Sequence, residues 1–236
     1  MDMSHVRVTV SLLAPGIVVR ERGVWKTHYV GILNRQAHRA DHRLAWGPIG
    51  GAASAAACPT LGRLRNDDGV EFWDDRSQRI KDLRLRVPRE HLDAVLRELE
   101  AQIPLWGEGD FRRELEEELC GKELRRLDQE PILTEARARR IKVRFLRFVR
   151  QPRNGGFVAS QRVGEQAPTK RLLFFYELRM SRRTFKAMMR SRLMREFDGA
   201  DLPGADDPPR EPIILDDGTE LRGHLIRLEP AAVATP

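Results

Sequence analysis

Cysteine is nearly absent from this 236-residue chain, which holds only Cys58 and Cys120, with neither CxxC spacing nor a clustered histidine partner. That leaves no basis for a thiolate zinc site or a disulfide framework, and Cys120 reads as a small apolar packing residue. Long apolar runs are missing as well. Nothing approaches the roughly 20 residues needed to span a bilayer, so no membrane association is expected. The first residues lack the charged, apolar and small-residue succession of a secretory signal, which makes the cytoplasm the expected compartment. Internal repeats are absent. Aromatic residues amount to only 6%.

Basic residues, in contrast, are plentiful and unevenly placed. The net charge is +7, yet residues 137–195 alone hold 18 Lys/Arg against Glu165 and Glu177, which leaves the rest of the chain net negative. Such a two-sided chain suits a polyanion held between a basic wall and a cation on carboxylates. Nucleic-acid binding by the basic segment is the rival explanation for the same wall. Hydrophobic content of 41% and this length fit one globular domain, expected over residues 1–228 with an insertion at about 52–105, and a disordered tail at 229–236.

Along the chain, Val6–Val10 alternates as a strand and Pro15-Gly16 reads as a turn. Ile17–Arg20 and Val24–Leu33 then form a predicted hairpin about Glu21-Arg-Gly23. His38 and His42 stand four apart in a segment without helical period, which gives little support to a metal role. Leu44–Ala53 runs through Pro48 into Gly50-Gly51, where the backbone can approach another group closely. If that bend faces carboxylates, the Gly51 carbonyl becomes a candidate metal ligand. Asp82–Val87 alternates as a strand, and Pro88 precedes a helix with Leu92, Val95, Leu96 and Leu99 on one face. Trp106–Gly109 reads as a loop, with Asp110 capping a second helix that stops at Gly121. Further on, Ile141–Arg150 and Leu172–Leu178 are predicted strands. Ser181 caps a helix bearing Phe185, Met188, Met189 and Leu193, and a last short element with a turn at Asp217-Gly218 falls within Ile213–Ile226.

The second helix is acidic in a basic chain. At about 100° per residue, Phe111, Leu115 and Leu119 fall within roughly 80° of one another, while Glu114, Glu117 and Glu118 occupy a neighbouring arc. Glu118 lies almost inside the apolar stripe. A buried unpaired carboxylate costs on the order of several kcal/mol, so a partner is required. Three carboxylates on adjacent turns suit Mg²⁺ or Mn²⁺, which take oxygen ligands and bridge to phosphates. A solvated acidic helix paired with nearby arginines fits the same pattern.

Arg113-Glu114-Leu115-Glu116-Glu117-Glu118 resembles the central part of the Nudix box, in which Arg-Glu, an aliphatic residue and any residue precede Glu-Glu. The order of strands, Gly50-Gly51 bend, acidic helix, strands and late helix is similar to the Nudix α/β/α sandwich, an α+β fold with a mixed central sheet, here with an enlarged insertion before the box helix. More narrowly, Gly47–Gly51 and Asp82–Pro88 ahead of this helix resemble the SMODS-associated Nudix group encoded beside cyclic-oligonucleotide synthases in bacterial antiviral operons. The resemblance runs from about Val6 to Ile226. It departs from the box at Leu105, where a glutamate is usual, and at Cys120, where a glycine is usual.

The resemblance implies an Mg²⁺-dependent hydrolase of a nucleoside diphosphate derivative, with Glu114, Glu117 and Glu118 as metal ligands and Arg113 orienting one of them. Arg144, Arg147 and Arg171 would offset phosphate charge, and Glu108 or Glu165 would stand in for the missing carboxylate or act as general base. A homodimer is compatible with such a fold. Leu105, Cys120 and the insertion favour a second reading, a catalytically weak nucleotide-sensing module on the same scaffold. The third reading, nucleic-acid binding through residues 137–195, ranks last because aromatics on its polar faces are scarce.

Overall fold

The computed structural model describes residues 4–35, 44–73, 78–79, 81–121, 131–151, 168–204, 213–221 and 225–227. His38, His42, Glu165 and the 229–236 tail lie outside the described residues. The protein is α+β, with a mixed sheet and one long helix. Chain contacts separate two compact units, Met1–Leu13 with Gly50–Glu114 and Arg144–Tyr176, and Ala14–Ile49 with Leu115–Val143 and Glu177–Pro236.

In the first unit, the alternation of Val6, Val8, Val10 and Leu12 buries one face of strand β1 (His5–Glu21). This segment pairs antiparallel with β6 (Arg84–Pro88), from His5 opposite Pro88 to Thr9 opposite Arg84, and β6 pairs with β5 (Glu71–Phe72). The glycine-bearing β4 (Ile49–Ala52) also joins β1, as does β8 (Thr169–Ser181), which pairs on its other side with β7 (Lys142–Gln151). A 3₁₀ turn at Ala55–Ala57 and helix α1 (Leu61–Asp67) occupy the stretch that shows no regular pattern in the sequence.

In the second unit, β1 continues into a tight hairpin with β2 (Val24–Arg35), in register from Gly16 opposite Tyr29 to Glu21 opposite Val24. Arg22 and Gly23 both have positive φ, 49° and 88°, the backbone signature of a two-residue turn that matches strand twist. Strand β2 also pairs with β3 (Leu44–Gly47) and β9 (Met194–Phe197). The short hairpin of β10 (Ile213–Ile214) and β11 (Glu220–Leu221) adds to β3 by the parallel pairing of β11. Trp46, Leu202, Leu221 and Leu225 pack together, with Tyr29, Leu33, Leu215 and Phe197 against them.

Two sequence expectations are corrected. Pro15-Gly16 is no turn: β1 passes through it without a break, and residues 12–19 are buried throughout, the mark of a strand covered on both faces. Nor does Trp106–Gly109 separate two helices. Helix α2 (Leu92–Cys120) is continuous, with Pro104 inside it. Leu99, Ile103, Gly107, Phe111, Leu115 and Leu119 all lie on its buried face, so the two apolar stripes are in phase and packing overrides the local breakers. Two smaller elements complete the chain: α3 (Glu135–Ala138) and α4 (Arg182–Met188), the latter capped by Ser181, which accepts from the Thr184 N–H. Met189 and Leu193 fall beyond the end of α4. Among the described residues, no helix is long and apolar enough to cross a membrane.

Candidate functional site

Because α2 does not begin at Asp110, the Asp110 carboxylate is not a cap for its own helix. It is only 6% exposed, and Oδ2 accepts the Ser54 backbone N–H at 2.7 Å. Ser54 in turn starts the 3₁₀ turn, its hydroxyl accepting the Ala56 N–H at 3.2 Å. Asp110 Oδ1 accepts Arg113 Nε at 3.0 Å, and Arg113 Nη2 donates to Glu114 Oε1 at 2.6 Å. A chain of hydrogen bonds therefore runs from Ser54 through Asp110 and Arg113 to Glu114. It fixes the glutamate's orientation by a charge-assisted contact.

The second oxygen of Glu114 faces the glycine bend. A Cβ at Gly51 would come within 2.6 Å of Glu114 Oε2, so any side chain there would push the carboxylate out of this position. Gly50 is more constrained still. Its φ is +119°, and a Cβ would collide with the Leu12 carbonyl oxygen and lie 2.8 Å from the Phe111 ring. Left-handed backbone and close approach thus demand glycine at this position for two independent reasons.

Phe111 itself stacks on Tyr176 of β8, with ring centroids 4.6 Å apart and planes 8° apart. The Tyr176 hydroxyl is buried and has no hydrogen-bond partner among the described residues. It reaches the helix at Gly107, where a Cβ would collide with it. Burial, and then the nearby carboxylates Glu108 and Asp110, push the phenol well above its ordinary pKa.

The other predicted residues fall as follows. Glu117 is half-buried and Glu118 is 7% exposed, as its place beside the apolar stripe predicts. In the second unit the intervening Glu116 lies 3.8 Å from Arg139, and the Leu119 carbonyl accepts the Leu133 N–H at 2.9 Å. Arg144 is exposed and Arg147 half-buried on β7, and Arg171 is half-buried on the neighbouring β8. Burial lowers the Arg171 pKa from its ordinary value. Leu105 is 78% exposed and Glu108 is exposed. Cys120 is half-buried, and Gly121 at φ +72° follows the helix end.

The structure thus brings together Gly51, Arg113 and Glu114, and adds Asp110, Ser54 and Tyr176, which sequence reasoning missed. The i, i+4 recurrence of buried positions from Leu99 to Leu119 is the signal that puts Asp110 in a helix interior rather than at its start. Ser54 carries no comparable signal. Among the described residues, no three His, Cys, Asp or Glu side chains are gathered as a metal cage. The donor at the glycine bend is a carboxylate oxygen, Glu114 Oε2, against backbone bare of side chain, the donor type that a hard divalent cation takes. Among known proteins, no family model matches the chain, and no curated protein or solved structure matches it. The resemblance to the Nudix proteins rests on Arg113–Glu118, Gly47–Gly51, Asp82–Pro88 and the order of elements in the sequence.

Proposed function

We propose that the protein is an Mg²⁺-dependent Nudix-type hydrolase of a nucleoside diphosphate derivative, with a place in bacterial antiviral defence and a Nudix-like α/β/α sandwich as its fold. The observation that carries this reading is Glu114 Oε2 lying where a Gly51 side chain would be, beside an Arg113 held by Asp110. Glu114, Glu117, Glu118 and the Gly51 carbonyl are the residues that would hold the ion. Mg²⁺ would supply Lewis-acid polarisation of the diphosphate and a more acidic bound water. It keeps several waters and uses few protein carboxylates, so an open row of glutamates suits it better than a closed cage. Arg113 holds Glu114 in one orientation, while Arg144, Arg147 and Arg171 neutralise phosphate oxygens.

The test is turnover of a nucleotide panel with Mg²⁺ by the wild type and by Glu118→Gln, with Mn²⁺ binding followed separately by water-proton relaxation. The expected outcome is turnover that falls at least about 100-fold in the variant, together with weaker Mn²⁺ binding. A folded, metal-loaded wild type as inert as the variant would sink the reading.

One observation favours a second reading, a nucleotide-sensing module with little chemistry. Leu105, at the position of the usual upstream glutamate, is 78% exposed, so no carboxylate is supplied there. Calorimetry against nucleotides and cyclic oligonucleotides separates the two, since tight binding without product supports the sensor and binding followed by hydrolysis supports the enzyme.

A further inference from the structure

We propose that the tip of the β1–β2 hairpin and the start of α4, both in the second unit, form a binding surface for single-stranded nucleic acid. Trp25 is 50% exposed at that tip, beside Val24 at 60%. The Arg179 guanidinium lies 5.5 Å from the Trp25 ring centroid, and Arg182 Nε lies 3.8 Å from Glu21. These two ties set the hairpin tip, the end of β8 and the first residue of α4 side by side.

The surface is cationic because Arg22, Lys26, Arg179, Arg182 and Arg183 outnumber Glu21, Glu177 and Glu196. Glu21 is approached by both Lys26, at 3.9 Å, and Arg182, while Glu177 pairs with Arg179. Glu196, the only acid of the adjoining β9, accepts from His28 Nδ1 at 2.7 Å. Neither β2 nor α4 contains an aspartate or glutamate. Arg22 and Arg183 are exposed, and the Lys26 and Arg182 side chains are 62% and 53% exposed.

An exposed indole with one arginine guanidinium against it, on a hairpin tip that carries further cations, selects its ligand. Every nucleobase offers a π-face to stack on, and arginine beside an aromatic ring adds a cation–π contribution, while the other cations track phosphates. In a duplex those base faces are covered by neighbouring bases, so an unstacked strand is the occupant that uses Trp25. A lipid surface is less well served, because Val24 and Trp25 alternate along the strand and point to opposite faces of the hairpin, so they form no single apolar patch.

Fluorescence anisotropy of the full chain with labelled single-stranded DNA and RNA 12-mers, the matching duplexes, and phosphatidylserine vesicles tests this. The expected result is binding to single strands that weakens about 50-fold between about 50 and about 200 mM salt if four phosphates are contacted. Trp25→Ala should lose at least about tenfold, Trp25→Phe should retain most of the affinity, and Arg182→Glu with Arg183→Glu should flatten the salt dependence. Far-UV circular dichroism checks that each variant is folded. Equal or tighter binding to duplex, binding to vesicles alone, no binding at low salt, or unchanged affinity in the variants would each overturn the proposal.

Discussion

The acidic helix and the basic hairpin tip use charge in opposite ways. Around Asp110, Arg113 and Glu114, each hydrogen bond has an assigned partner, Asp110 is only 6% exposed, and adjacent backbone is stripped of side chains at Gly50 and Gly51. At the hairpin tip the Lys26 and Arg182 side chains stay more than half exposed while both approach Glu21, and Trp25 is half exposed. The first region spends folding energy on geometry, whereas the second holds an excess of cations over acids at its surface, where something large and anionic can meet them. Substitutions should therefore damage stability at the helix and association at the hairpin.

The sharpest way to break that contrast is Gly50→Ala. With φ at +119° and both the Leu12 carbonyl and the Phe111 ring in the way, the expected loss is about 3 kcal/mol or more, read as a lower midpoint in urea unfolding. A loss under about 0.5 kcal/mol would show that the bend relaxes easily, and would weaken the case that it positions Glu114.

Tyr176→Phe sharpens the comparison from the other side. Removing a buried hydroxyl that has no partner should leave stability unchanged or raise it by about 1 kcal/mol. Its pH dependence has a defined sign. The phenol pKa is raised in the folded protein, so the stability tied to its neutral form is present below about pH 10, the ordinary tyrosine value, and is lost as pH rises toward the folded value. Thermal melting from pH 9 upward should therefore fall less steeply in the variant than in the wild type. A residual slope remains from Tyr29, the chain's other tyrosine, whose pKa burial also raises despite the opposing charge of Arg227. Identical slopes would mean that the ring is solvated in solution.

The smallest expected effect is at the hairpin. Trp25→Ala or Arg183→Ala should change unfolding free energy by no more than about 0.5 kcal/mol, since neither side chain is buried. A larger loss by urea unfolding would place the indole in the folding core and remove the contrast.

These two regions also differ in how far the sequence discloses them. The hairpin is legible residue by residue, because its turn is two residues long and the strand pattern is local. Both halves of α2 are legible too, along with the inward lean of Glu118. Their junction is not. Pro104, Gly107, Gly109 and a cap-like Asp110 all argue for a break, and two of them are answered by something distant in sequence: Gly107 makes room for Tyr176, and Asp110 serves Ser54. Pro15 in β1 misleads for the same reason, since burial along residues 12–19 outweighs the local signal. At the site, the Arg113–Glu118 spacing suggests metal chemistry, and the glycine pair suggests close approach. That Gly51 and Glu114 meet is visible only in three dimensions.

Gly50 has a kinetic consequence as well. Its seat against Leu12 and Phe111 joins segments separated by about 38 and about 61 residues, so this joint can close only after long stretches of chain have been gathered. The hairpin turn, by contrast, closes over two residues on a timescale of roughly 1–10 μs. The bend beside Glu114 is therefore a late arrival on the folding route. Damage there acts chiefly by hastening unfolding, and the lifetime of the native state, more than the speed of reaching it, depends on a residue with no side chain.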